Sequence, residues 1–139
     1  MKTTNLVKDV MTKQPVTVPP GTNLQQCAKI MSDLHVGSLL VKDGPGVVGI
    51  ITEQDLVRKC VLKNVLPSKT LVDDIMESNL IVVREEQNIE EAITLMRDHN
   101  VRHLPVMNKK EQFVGFITGK DILKIQPELF KLLAEKMRK

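Results

Sequence analysis

The residues best placed to do chemistry are two threonine–aspartate pairs, Thr52 with Asp55 and Thr118 with Asp121. Each closes the same pattern, Gly-apolar-Ile-Thr-x-x-Asp: Gly49-Ile50-Ile51-Thr52-Glu53-Gln54-Asp55 and Gly115-Phe116-Ile117-Thr118-Gly119-Lys120-Asp121. The apolar run predicts a strand that turns into a helix at the threonine, with the aspartate in the first helical turn. The free N–H groups and positive dipole end of a helix receive phosphate. A carboxylate there can accept hydrogen bonds from both vicinal hydroxyls of a ribose. The same spacing is also a capping box, in which the threonine caps the helix and the acid bonds back. A cap would be duplicated as readily as a site, so on these residues alone both readings stand.

A second cluster is Val101-Arg102-His103-Leu104-Pro105-Val106, where a helix gives way to a strand. Arg102 can grip phosphate bidentately and His103 can donate to it; the alternatives are a surface ion pair and a strand-end histidine with ordinary partners. The corresponding positions in the first copy are Gly37 and Ser38, small and uncharged. Two related sites would therefore be electrostatically unequal. His35 and His99 have no partner at metal-ligand spacing. No nucleophile–base–orienter set is recognisable, and an aspartate at a helix start is held in its ionised form, unsuited to a general acid. The chain is expected not to be an enzyme and to need no obligatory cofactor or metal.

The elements that position these residues come in two copies. Val7-Lys8-Asp9-Val10-Met11 returns as Val72-Asp73-Asp74-Ile75-Met76, and Met31, Asp33, Val36, Leu39 and Val41 recur 65 positions later. A period this long marks two halves of one domain rather than a solenoid. Each copy reads as short helix, strand, helix, hairpin, helix. In the first, Val16 to Val18 is a strand closed by Pro19-Pro20-Gly21, and Thr22 with Gln25 suggests a capping box before an amphipathic helix. Ser38 to Lys42 and Val47 to Thr52 form a hairpin around Asp43-Gly44-Pro45-Gly46, followed by a helix from Glu53 to about Lys63. In the second, Leu80 to Val83 is the strand, Ile89 to Met96 lies on the helix, His103 to Asn108 and Phe113 to Thr118 form the hairpin, and Gly119 to about Ile125 the helix. Leu129, Phe130, Leu133 and Met137 line a final helix after Pro127. The expected fold class is α+β, with the two copies packed sheet to sheet about a pseudo-two-fold axis: residues 1–66, 67–126 and a C-terminal helix at 127–139.

The chain has 139 residues, 42% of them apolar, which suffices for one sizeable core. Its 20 basic and 17 acidic residues are scattered, and a net charge of +3 without a basic stripe argues against a nucleic-acid partner. No apolar run approaches a membrane span and Met1 to Leu6 lacks a signal-peptide core. A cytoplasmic protein is expected, with Cys27 and Cys60 as reduced core residues. Trp and Tyr are absent, so any nucleobase would lie between aliphatic side chains and backbone.

Taken together, Val10-Met11 and Ile75-Met76, the mid-copy runs Val36 to Val41 and Val101 to Val106, and the two Gly-apolar-Ile-Thr-x-x-Asp elements resemble the cystathionine-β-synthase (CBS) domain family in its tandem form, the Bateman module. The resemblance spans Leu6 to Ile125. It implies a β-α-β-β-α fold in each copy and a regulatory module that binds AMP, ADP, ATP or S-adenosylmethionine and passes a conformational signal to an unidentified regulated protein. It implies one site of Thr52 and Asp55 with Ile81, Val82, Arg102 and His103, and another of Thr118, Lys120 and Asp121 with Val16, Thr17, Gly37 and Ser38. Arg102 and His103 would favour a charged nucleotide, opposed by Glu53 unless that acid points to solvent. A homodimer is also implied, with Leu56, Val57, Cys60 and Val61 as candidate contacts. The competing reading is a ligand-independent interaction or scaffold dimer in which the aspartates merely cap helices.

Overall fold

In the computed structural model, residues 5–125 together with Pro127, Glu128, Lys131 and Glu135 are described. The stripe expected at Leu129, Phe130, Leu133 and Met137 lies outside them. The chain forms two compact units: Pro15–Leu80, and the residues up to Gln14 joined with those from Ile81 onward.

The first of these units contains β1 (Thr17–Val18), α2 (Leu24–Leu34), β2 (Ser38–Asp43) and β3 (Gly46–Thr52); α1 (Val7–Val10) belongs to the other unit. The sheet runs β1-β2-β3, parallel between β1 and β2 and antiparallel in the hairpin. Pro19-Pro20-Gly21 ends β1, as expected. The helix begins one residue later than the Thr22 cap implies. Asn23 is the cap, its side chain accepting from Gln26 N at 2.8 Å, while the Thr22 hydroxyl donates to Pro19 O at 2.7 Å. Asn is at least as good an N-cap as Thr, and Thr22 finds its partner in the preceding turn.

After β3 the chain enters α3 (Glu53–Asp55), whose turns widen into a π-helical stretch at Leu56–Val61. Beyond it the helix closes at left-handed Asn64, where Val65 N donates to Cys60 O, five residues back. The helix expected to about Lys63 is therefore present, but over-wide in its middle. Cys60 is buried at 7% exposure and so is not a contact residue of the outer surface; Leu56 is partly buried against the core, and Val57 and Val61 are exposed. The winding turns every third or fourth residue inward, and an apolar list cannot separate inward from outward positions.

The second unit repeats the plan with β4 (Val83–Arg84), α4 (Ile89–His99), β5 (His103–Met107), β6 (Phe113–Thr118) and α5 (Gly119–Ile125). Its sheet runs β4-β5-β6. The strand expected at Leu80 to Val83 forms later, at Val83–Arg84. Helices α2 and α4 both stop at a left-handed residue, His35 and Asn100, the usual geometry of a helix end.

Each sheet packs one face on its helix. Leu39, Val41 and Ile51 join Leu24, Cys27 and Met31 in one core; Leu104, Val106 and Ile117 join Ala92, Met96 and Ile122 in the other. On the opposite pleat Leu40 and Ile50, and Pro105 and Phe116, are buried as well. Strands covered on both faces read as unbroken apolar runs, and Leu39 to Val41 and Leu104 to Val106 do so. Truncating a fully buried leucine such as Leu39 or Leu104 to alanine costs about 2–5 kcal/mol.

The opening segments pair with hairpins. Thr12 bridges Phe116 in one unit and Glu77 bridges Ile50 in the other. Methionine accompanies each bridge: Met76 lies against Gly49, and a Cβ on Gly115 would sit 2.6 Å from Met11 Sδ. At Gly115 the Thr12 backbone oxygen would also lie 2.9 Å from that Cβ, so glycine is required there, whereas at Gly49 only the Met76 side chain intrudes.

Candidate functional site

In the Pro15–Leu80 unit, Thr52 has extended backbone geometry and α3 starts beyond it. Thr52 Oγ1 accepts from Asp55 N at 3.1 Å, and Asp55 Oδ2 accepts from Thr52 N at 3.0 Å. The capping box read from the sequence is thus formed. Asp55 Oδ1 lies 3.6 Å from Lys59 Nζ, which itself donates to Ile75 O at 3.0 Å. The Asp55 side chain keeps 20% of its exposure.

The hairpin brings Gly37 and Ser38 to the same corner. Ser38 pairs across from Thr52, and Glu53 N donates to Gly37 O at 3.0 Å. Glu53 does not simply point away: a Cβ on Gly37 would meet its Oε1 at 3.2 Å. Two carboxylates, those of Asp55 and Glu53, flank this corner. It suits hydroxyl donors and repels phosphate. Val16 and Thr17 stand one strand away, with Val16 O accepting from Leu40 N at 3.1 Å.

In the other unit, Thr118 pairs across from His103, and Gly119 N donates to Arg102 O at 3.0 Å. Asp121 Oδ2 accepts from Thr118 N at 2.9 Å and from Thr118 Oγ1 at 3.2 Å. Its other oxygen, Oδ1, accepts from Thr12 Oγ1 at 3.4 Å. Asp121 is buried at 8% exposure, which makes it the one buried charged residue among those described. The His103 ring lies parallel to Phe116, with centroids 6.0 Å apart. Arg102 and Lys120 are exposed, so cations flank this junction where Glu53 flanks the other. Ile81 packs against the core of this unit and Val82 is exposed.

Within each unit, then, the register gathers the threonine–aspartate pair with the opening residues of its own hairpin: Gly37, Ser38, Thr52 and Asp55 in one, Arg102, His103, Thr118 and Asp121 in the other. Two partners escaped the sequence reading. Lys59 lies four residues after Asp55, a helical spacing that could have flagged it. Thr12 is 109 residues from Asp121, and no local pattern announces it. Cys27 and Cys60 are buried free thiols; burial pushes Cys27 up to about 11 and raises Cys60 too. They are inert core groups rather than nucleophiles at neutral pH. Among the described residues, no group of three or more His, Cys, Asp or Glu gathers where a metal could bind, and no helix is long and apolar enough to cross a membrane.

Residues 7–61 and 72–128 each match the CBS domain family. An uncharacterized protein of Methanopyrus kandleri is 34% identical over 136 residues, covering 96% of this chain and 68% of that protein. The L-aspartate semialdehyde sulfurtransferase of Methanocaldococcus jannaschii is 29% identical over 121 residues, 86% of this chain, which spans only 23% of that enzyme. Among solved structures, the CBS domain pair of protein MJ0100, in complex with 5′-methylthioadenosine and S-adenosyl-L-methionine, superposes with a TM-score of 0.78 at 27% identity. It covers 88% of this chain and 96% of that one.

Proposed function

This chain belongs to the CBS domain family and carries the domain twice, and from that premise we propose that it is a regulatory module that binds an adenosine compound. The compound is AMP, ADP, ATP or S-adenosylmethionine, and binding shifts the conformation presented to a regulated partner. The observation that carries the reading is the related CBS pair held with methylthioadenosine and S-adenosylmethionine. The geometry adds the means. Asp55 and Asp121 sit at strand-to-helix junctions as acceptors for ribose hydroxyls, and the exposed Arg102, with Lys120, supplies positive charge for a phosphate. Aliphatic residues such as Ile81, Val82 and Val16 supply apolar surface for adenine in a chain without Trp or Tyr. A ligand moves such an equilibrium only by its differential affinity for two states. The exposed Val57 and Val61 are proposed as homodimer contacts.

Calorimetric titration with AMP, ATP and S-adenosylmethionine tests the reading. Saturable binding that is reduced by Asp55→Ala or Asp121→Ala in folded protein supports it. No heat from any of the three, on protein free of co-purified nucleotide, leaves the scaffold reading, which the two complete capping boxes favour. Arg102→Ala should weaken AMP far more than adenosine, and equal losses would remove its phosphate role.

A further inference from the structure

Resting on the reading of the two aspartates as ribose acceptors, we propose that Thr12 is a positioning residue that closes the Asp121 site, so that the two copies bind unequally and Asp55 fills first. A carboxylate offers about four acceptor positions on its two oxygens. Asp121 has three of them occupied: Oδ2 by Thr118 N and Thr118 Oγ1, and Oδ1 by Thr12 Oγ1. A ribose diol brings two donors. It can be met at Asp121 only if the Thr12 bond, the longest of the three at 3.4 Å, is given up. Asp55 has one hydrogen bond, from Thr52 N, and the Lys59 ammonium at 3.6 Å from Oδ1. Its remaining positions accept the diol with no bond broken.

Thr12 cannot simply drift aside. Its backbone exchanges two hydrogen bonds with Phe116, N to O at 2.8 Å and O from N at 3.0 Å, so the contest for Oδ1 falls on the hydroxyl alone. The first copy has no counterpart. The residue that bridges Ile50 in the same way is Glu77, whose carboxylate accepts from Asn79 N and, when ionised, has no proton to donate to Asp55. Thr12 thus sets the affinity of one site through a contact its twin lacks.

The test is calorimetric titration of adenosine and S-adenosylmethionine into Asp55→Ala protein, which retains only the Asp121 site, with and without Thr12→Val. Removing the hydroxyl while keeping the side-chain shape should tighten binding about three- to tenfold, the worth of one exchanged hydrogen bond. Thr12→Ser keeps the hydroxyl and should behave as the parent. Unchanged or weaker binding in Thr12→Val, or tightening by Thr12→Ser as well, overturns the proposal. If Asp55→Ala or Thr12→Val does not fold by circular dichroism, Asp55→Asn and Thr12→Ala carry the same comparison. Failure of the underlying function shows differently: the unsubstituted protein then binds neither compound.

Discussion

Asp55 and Asp121 occupy the same place in two copies of one motif, yet their surroundings have diverged in opposite directions. Asp55 is partly exposed, makes one hydrogen bond through its carboxylate, and has a lysine nearby. Asp121 is buried and its carboxylate accepts three hydrogen bonds, one of them from a residue at the far end of the sequence. The difference lies outside the repeated pattern. Lys59 is matched by Ile125 and Thr12 by Glu77. A duplicated motif therefore transmits the backbone geometry of a site faithfully and leaves its electrostatics and free valence to the neighbours.

The contrast should be clearest in stability. Removing the Asp121 carboxylate leaves the part-buried Thr118 N–H and the Thr118 and Thr12 hydroxyls without their acceptor, although Asp121 N keeps its bond to Thr118 Oγ1. Asp121→Ala is expected to cost about 2–4 kcal/mol in urea unfolding, against about 1 kcal/mol for Asp55→Ala. Equal losses would show that Asp121's burial has no energetic content.

A pH dependence should separate the copies next. Cys27 in the first core corresponds to Ala92 in the second, and burial raises its thiol from 9.0 to about 11. The folded state holds that proton more tightly than the unfolded state. Stability is full below pH 9 and falls as pH rises towards 11, by roughly 2–3 kcal/mol for a two-unit shift. Cys60, also raised by burial, adds in the same direction. Cys27→Ala should be less stable at neutral pH and should lose less between pH 9 and 11; an unchanged slope would place the titration elsewhere.

The glycines offer a finer distinction. A Cβ on Gly115 would meet Thr12 O, a backbone atom, at 2.9 Å, whereas on Gly49 it would meet only the Met76 side chain. Gly115→Ala should cost about 1–3 kcal/mol and Gly49→Ala less, since a methionine can change rotamer. Thermal melts of the two variants check the order. The smallest effect belongs to Lys59. Its pairing with Asp55 is long, at 3.6 Å, and partly in solvent, so Lys59→Met should change stability by under about 1 kcal/mol, and by less in high salt.

Much of this was legible in the sequence because it is local. Repetition, apolar runs and breaker clusters located both hairpins and both aspartate junctions to within a residue or two. Cys27 was recognisable as core from helical spacing. Neighbouring candidates compete for local roles less predictably: Asn23 rather than Thr22 caps α2 because both side chains can bond nearby backbone, and only their turn geometry decides. The π-helical widening at Leu56–Val61 leaves no compositional trace. The pairing of Thr12 with Phe116 of the second hairpin is long-range, and with it went the Thr12 bond to Asp121. Propensity and spacing carry no information across a hundred residues; packing chooses that partner.

The most direct test of the account is calorimetric titration of S-adenosylmethionine and AMP into the protein and its Asp55→Ala and Asp121→Ala variants, each verified as folded. The account predicts saturable binding dominated by one site, strongly weakened in Asp55→Ala to the residual affinity of the Asp121 site and largely kept in Asp121→Ala. Binding that Asp55→Ala leaves untouched, or no binding at all, would contradict it.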